Sequence, residues 1–170
     1  MKRVFLIGYM GSGKTTIGKL VAEKLGYGFV DMDAHIEEKY FNSISKIFAE
    51  LGEEQFRLME QRCLHEVSEF EDVIISTGGG APCFFDNMEY MKSQGLTIYL
   101  KLTAAELAER LEALQANKRP LIAGRSGEEL KKFIADGLAK REAFYTQAAY
   151  ALSGGIDETV NEICALISRQ

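Results

Sequence analysis

Apolar residues follow two rhythms along this chain. The runs Val4–Ile7, Val73–Ser76 and Leu96–Leu102 are short and almost unbroken, as in strands covered on both faces. Tyr27–Val30 and Ala149–Leu152 are weaker runs of the same kind. Elsewhere apolar positions recur every three or four residues, the period of a helix with one buried face. Ile17, Leu20, Val21 and Leu25 predict a helix from about Lys14, stopped by Gly26. Ala34–Tyr40 and Ser43–Leu51 predict two more, and after Gly52 a longer helix runs to about Phe70 with Phe56, Met59, Cys63 and Val67 inward. Asp86-x-x-Glu89 and Thr103-x-x-Glu106 are helix-start boxes, and the second opens a helix with Leu107, Leu111 and Leu114 inward. Gly127 to about Ala148 should bury Leu130, Ile134, Phe144 and Ala148, with Arg141 on the same face. Asp157–Arg169 should bury Val160, Ile163, Cys164 and Ile167. Five strands alternating with helices predict an α/β fold: a parallel sheet, right-handed crossovers and helices on both faces.

Between the first strand and the first helix lies Gly8-Tyr9-Met10-Gly11-Ser12-Gly13-Lys14-Thr15, which fits G-x-x-x-x-G-K-[ST]. Glycines let main-chain N–H groups turn toward an anion, and the positive end of the helix faces the same point. Lys14 is placed to reach β- and γ-phosphates, and the Thr15 hydroxyl to ligate Mg²⁺. The fold is thus expected to be a P-loop nucleotide-binding domain.

Asp31 and Asp33 close the second strand. In an extended chain they would emerge on one side, at the strand end where parallel sheets bind ligands. A helix cap accounts for one of them. Beside a phosphate loop, the other suits proton acceptance from a hydroxyl, and Asp31 is the better candidate for the metal because no second acid ends the third strand. Thr77-Gly78-Gly79-Gly80 after that strand is either a plain turn or a close approach to a ligand. Arg57 and Glu60, three apart, read as a surface ion pair worth under about 1 kcal/mol. Arg141 must snorkel, pair or bind an anion. The basic stretch Lys118, Arg119, Gly124, Arg125 between two helices suits a lid over phosphates, at about 117–127. His35 and His65 read as ordinary helix residues.

Composition narrows the partners. The chain has 170 residues, 46% apolar and 26% charged, with a net charge of −5, enough for one domain spanning 1–170. Net acidity argues against a generic nucleic-acid or anionic-membrane binder. Cys63, Cys83 and Cys164 are widely spaced and read as free thiols of a reducing cytoplasm. Lys2-Arg3 before an apolar run imitates a leader, but the run stops at Gly8.

Taken together, several of these stretches resemble the shikimate kinase family. They are the phosphate loop, Asp31-Met32-Asp33, Phe48-x-x-x-Gly52-Glu53-x-x-Phe56-Arg57-x-x-Glu60, Thr77–Gly80, Arg119-Pro120-Leu121 and Arg141-x-x-x-Tyr145, in order along nearly the whole chain. The resemblance implies a three-layer P-loop NTPase fold with sheet order 2-3-1-4-5 and a lid. It also implies ATP- and Mg²⁺-dependent phosphorylation of the shikimate 3-hydroxyl, a step toward chorismate and the aromatic amino acids, by a cytoplasmic monomer. By the same resemblance Asp33, Lys14 and Arg119 are catalytic. Nucleotide contacts fall to Gly11, Ser12, Gly13, Lys14, Thr15, Thr16, Arg110 and Arg119, and metal contacts to Thr15 and Asp31. Shikimate contacts fall to Asp33, Arg57, Gly78, Gly79, Gly80 and Arg141, with both arginines on its carboxylate. A gluconate-type kinase, a GTP-dependent switch and a non-catalytic nucleotide adaptor are the rival readings. Asn117-Lys118-Arg119-Pro120 lacks the acid that a guanine reader needs, and an adaptor has no need of Asp33, Arg57 and Arg141 together.

Overall fold

The structure is a computed structural model that describes residues 2–114, 125 and 127–170. Among these residues the order is β1 (Arg3–Ile7), α1 (Lys14–Leu25), β2 (Gly28–Asp31), α2 (Met32–Tyr40), α3 (Ile44–Val67), β3 (Val73–Ser76), a short 3-10 turn (Ala81–Cys83), α4 (Asn87–Gln94), β4 (Leu96–Leu100), α5 (Ala104–Ala113), α6 (Gly127–Tyr145), β5 (Tyr150–Leu152) and α7 (Ile156–Ser168). The five strands form one parallel sheet in the order β2-β3-β1-β4-β5. In β1, Phe5 pairs with Ile75 on one side and Thr97 on the other, which makes it the central strand.

Strand alternation sorts the core into two layers. Phe5, Ile7, Val73, Ile75 and Tyr99 face one side and pack with Leu64, Val67, Met88, Met91, Leu107, Leu111, Leu130, Ile134 and Tyr145. Val4, Leu6, Ile74, Ile98 and Leu100 face the other and meet Ile17 and Val21 of α1 and Val160, Ile163 and Ile167 of α7. The three-layer arrangement and the sheet order agree with the expectation. A third, smaller cluster joins α2 to α3 through Ile36, Ile47, Phe56, Met59 and Cys63, beside the main core. Because every strand is parallel, the C-terminal ends of β1, β2 and β3 lie on one edge, and the loops that follow them converge there.

Several local expectations change. α2 begins at Met32, two residues early, because the Asp31 side chain caps it by accepting from the Ala34 N–H at 3.1 Å. Asp33 therefore stands in a first helical turn rather than in extended chain. Asp86 occupies a cap position without a side-chain cap bond, whereas Thr103 caps α5 through the Glu106 N–H at 3.1 Å. α6 ends at Tyr145, and Tyr145, not Phe144, is its fully buried aromatic. Leu20 and Leu114 are exposed, and Leu114 sits past the last turn of α5 on the wall of a cleft.

Candidate active site

The phosphate loop begins where β1 ends and finishes as the N-terminus of α1. Gly11 and Gly13 have φ of 80° and 96°, left-handed values that L side chains rarely adopt. Lys14 Nζ donates to the carbonyls of Gly8 at 2.6 Å and Tyr9 at 3.0 Å, so the ammonium lies folded over the loop. The Thr15 hydroxyl donates to Asp31 Oδ2 at 2.8 Å. A hydroxyl and a carboxylate side by side are hard oxygen donors of the type Mg²⁺ takes, so these two residues fit that ion. Arg110 Nη1 reaches back to the Ser12 carbonyl at 3.1 Å. The Ser12 hydroxyl is buried without a hydrogen-bond partner among the described residues. A cleft of about 480 Å³ opens above the loop, with Thr15, Thr16, Asp31, Asp33, Arg110 and Leu114 among its walls.

The second half of the site forms around Gly78–Gly80. A Cβ on Gly78 would stand 2.9 Å from both Asp33 Oδ1 and Glu60 Oε2. At Gly79 it would meet Arg141 Nη1 at 3.3 Å and the Met10 amide of the phosphate loop at 3.5 Å. At Gly80 it would meet Arg57 Nη1 at 2.7 Å. Glycine is needed here for space: side chains from α2, α3 and α6 press against this one turn.

Arg57 and Glu60 are not the surface pair that spacing alone suggests, and the family resemblance already gives Arg57 another role. Arg57 is 8% exposed and Glu60 1%, joined at 2.9 Å. The cause is Gly52, whose φ of 83° and ψ of 168° interrupt α3 and turn its second half under the glycine turn. The Arg57 guanidinium lies 4.1 Å from the Phe84 ring centroid and 5.2 Å from that of Phe56. Its Nε is buried without a hydrogen-bond partner among the described residues, so the group keeps donor capacity. Burial pushes the Glu60 carboxyl up to about 7, against the downward pull of Arg57.

Arg141 lies 5.4 Å from the Tyr9 ring centroid, and one turn later Tyr145 donates to the Gly79 carbonyl at 2.5 Å. Burial raises the Tyr9 and Tyr145 phenols above their ordinary value, which keeps both neutral donors. Spacing alone gave Tyr145 no role, although it lies i, i+4 from Arg141 and so on the same face of α6. Arg119 and the lid, apart from Arg125 and Gly127, lie outside the described residues. Arg125 stacks 4.2 Å from the Phe133 ring centroid.

A phosphate loop with an acid beside its helix, two arginines packed against the neighbouring glycine turn and a parallel sheet in this order define a P-loop phosphotransferase. The sequence profile of the shikimate kinase family matches residues 10–170. A shikimate kinase of Parabacteroides distasonis is 61% identical over 149 residues, covering 88% of this chain and 86% of that one. The crystal structure of shikimate kinase from Bacteroides thetaiotaomicron superposes with a TM-score of 0.93 at 44% identity, covering 98% of both chains. That of the Acinetobacter baumannii shikimate kinase in complex with shikimate gives 0.89 at 31% identity, over 99% of this chain and 94% of that one. The chain belongs to the shikimate kinase family.

Proposed function

We propose that this chain transfers the γ-phosphoryl group of ATP to the 3-hydroxyl of shikimate, as a monomer in the cytoplasm, with Mg²⁺ held by Thr15 and Asp31. One observation carries the reading: Gly79 lies against both a phosphate-loop amide and Arg141, while Asp33 and Arg57 flank it at Gly78 and Gly80. An acceptor whose carboxylate is held by Arg57 and Arg141 therefore has a hydroxyl within reach of the phosphate side. The planar guanidinium fork suits a carboxylate, and the ring stacking fixes its plane. The relative solved with shikimate supports the same acceptor.

Phosphoryl transfer depends on positioning and charge neutralisation. Main-chain amides from Gly11 to Thr16 cradle the phosphates, and the Lys14 ammonium swings from the Gly8 and Tyr9 carbonyls onto the β- and γ-oxygens. Asp33, beside Gly78, orients the acceptor hydroxyl and takes its proton. Bound Mg²⁺ supplies charge neutralisation on the phosphates. Arg110, packed on the loop, lies on the nucleotide side with Ala113, Leu114 and Ile156 as apolar wall. Arg119 is the lid cation that meets developing charge, and lid closure keeps water from competing as acceptor. Three free cysteines suit a reducing compartment. Among the described residues no helix is long and apolar enough to cross a membrane.

ADP release followed with ATP and Mg²⁺ tests this directly. It should be slow alone and rise many-fold with shikimate, but not with gluconate. Equal rates with and without shikimate, or a gluconate response as large, overturn the reading.

A further inference from the structure

Away from the phosphate cleft, α2 and α3 place three different ligand types together. The His35 imidazole, the Cys63 thiol and a Glu66 carboxylate oxygen all lie within 4.8 Å of one another. His35 Nε2 stands 3.7 Å from Glu66 Oε2. Cys63 and Glu66 are three residues apart on α3, so they share a face, and His35 approaches from α2. A tetrahedral site with bonds of about 2.0–2.3 Å holds its ligand atoms roughly 3.3–3.8 Å apart. The widest separation is thus within about 1 Å of that geometry.

We propose that His35, Cys63 and Glu66 bind a borderline-soft divalent cation of the Zn²⁺ class, with water as fourth ligand. A thiolate and an imidazole select such an ion over Mg²⁺, which wants oxygen alone, so the ion of the phosphate site does not compete here. The place already attracts a cation: Lys39, one turn after His35 on α2, bonds to Glu66 Oε1. A metal at this point displaces that ammonium. Burial holds the Cys63 thiol protonated, pushed up to about 12, so coordination releases one proton to solvent. Cys63 is fully buried while His35 and Glu66 are partly exposed, at 30% and 44% of their side chains, which leaves an entry path from solvent. The bound ion would tie α2, which carries Asp33, to α3, which carries Arg57 and Glu60. The site stands independently of the kinase reading.

Co²⁺ titrated into the full chain, with Mg²⁺ in excess, tests it spectroscopically. The expected result is a near-ultraviolet thiolate-to-cobalt charge-transfer band with the visible bands of a tetrahedral ion. Both should saturate at one Co²⁺ per chain and vanish on adding Zn²⁺. The charge-transfer band should be lost in Cys63→Ser, and His35→Gln, at a partly exposed position, should weaken binding at least about tenfold. A wild-type chain without the band, a band that persists in Cys63→Ser, or undiminished affinity in His35→Gln overturns the site.

Discussion

Gly80 and Arg57 offer the sharpest residue-level test. A methyl group on Gly80 would meet Arg57 Nη1 at 2.7 Å, and the φ of Gly80 is −91°, which any residue adopts. The clash falls on the end of the Arg57 side chain, so the guanidinium is displaced from the turn. Gly80→Ala should raise the KM for shikimate several-fold while that for ATP holds. Steady-state kinetics varying each substrate reads this out. Glu60 gives a pH signature. Its folded-state carboxyl near 7 lies above the ordinary 4.5, so the folded chain binds that proton more tightly than the unfolded chain does. That contribution is fully present below about 4.5 and is lost as pH rises through about 7. The slope is at most about 1.4 kcal/mol per pH unit. Urea unfolding from pH 4.5 to 7.5 should show this loss in wild type, and Glu60→Gln should flatten it. The Arg57–Glu60 spacing was legible in the sequence, but the burial of the pair was not, since i, i+3 spacing says nothing about what covers that face.

At the scale of elements, Gly52 decides where the second half of α3 points. Its φ of 83° with ψ of 168° belongs to a region that only glycine occupies comfortably. A Cβ there would touch nothing within 4 Å among the described residues, so any cost is backbone strain. Gly52→Ala should therefore lower stability by about 1–3 kcal/mol, visible as a reduced Tm, and should weaken shikimate binding by shifting Arg57. Helix and strand periods located the five strands and most of the described helices to within a few residues, while α4 was signalled only by its start box and the short turn Ala81–Cys83 by nothing. What they missed has local causes. The Asp31 cap moved the start of α2, and Tyr145 took the buried place given to Phe144 because its hydroxyl has the Gly79 carbonyl to bond. Leu114 stays exposed because α5 ends at Ala113 and leaves it on the cleft wall.

For the molecule as a whole, the parallel sheet gathers the ends of β1, β2 and β3 on one edge, so loops far apart in sequence meet there. The lid proposed at about 117–127 belongs to this scale because it would act on the assembled site. Arg119→Ala should mainly lower kcat, by up to about 10³–10⁵ if the group acts as an inserted arginine does, with the KM for shikimate little changed. An unaltered kcat in single-turnover transfer would remove Arg119 from the mechanism. The sequence alone determined the phosphate loop, the alternation of strands and helices and the α/β class, because each depends on short-range spacing and turn chemistry. Membership of the family was legible in its motifs for the same reason. The resemblance implied that Asp33, Arg57 and Arg141 share one ligand with Gly78–Gly80, but only the tertiary structure decided how they and Glu60 pack on that turn, and that His35, Cys63 and Glu66 share a corner. Burial and convergence come from packing between helices remote in the chain, and local periodicity carries no record of which faces will meet.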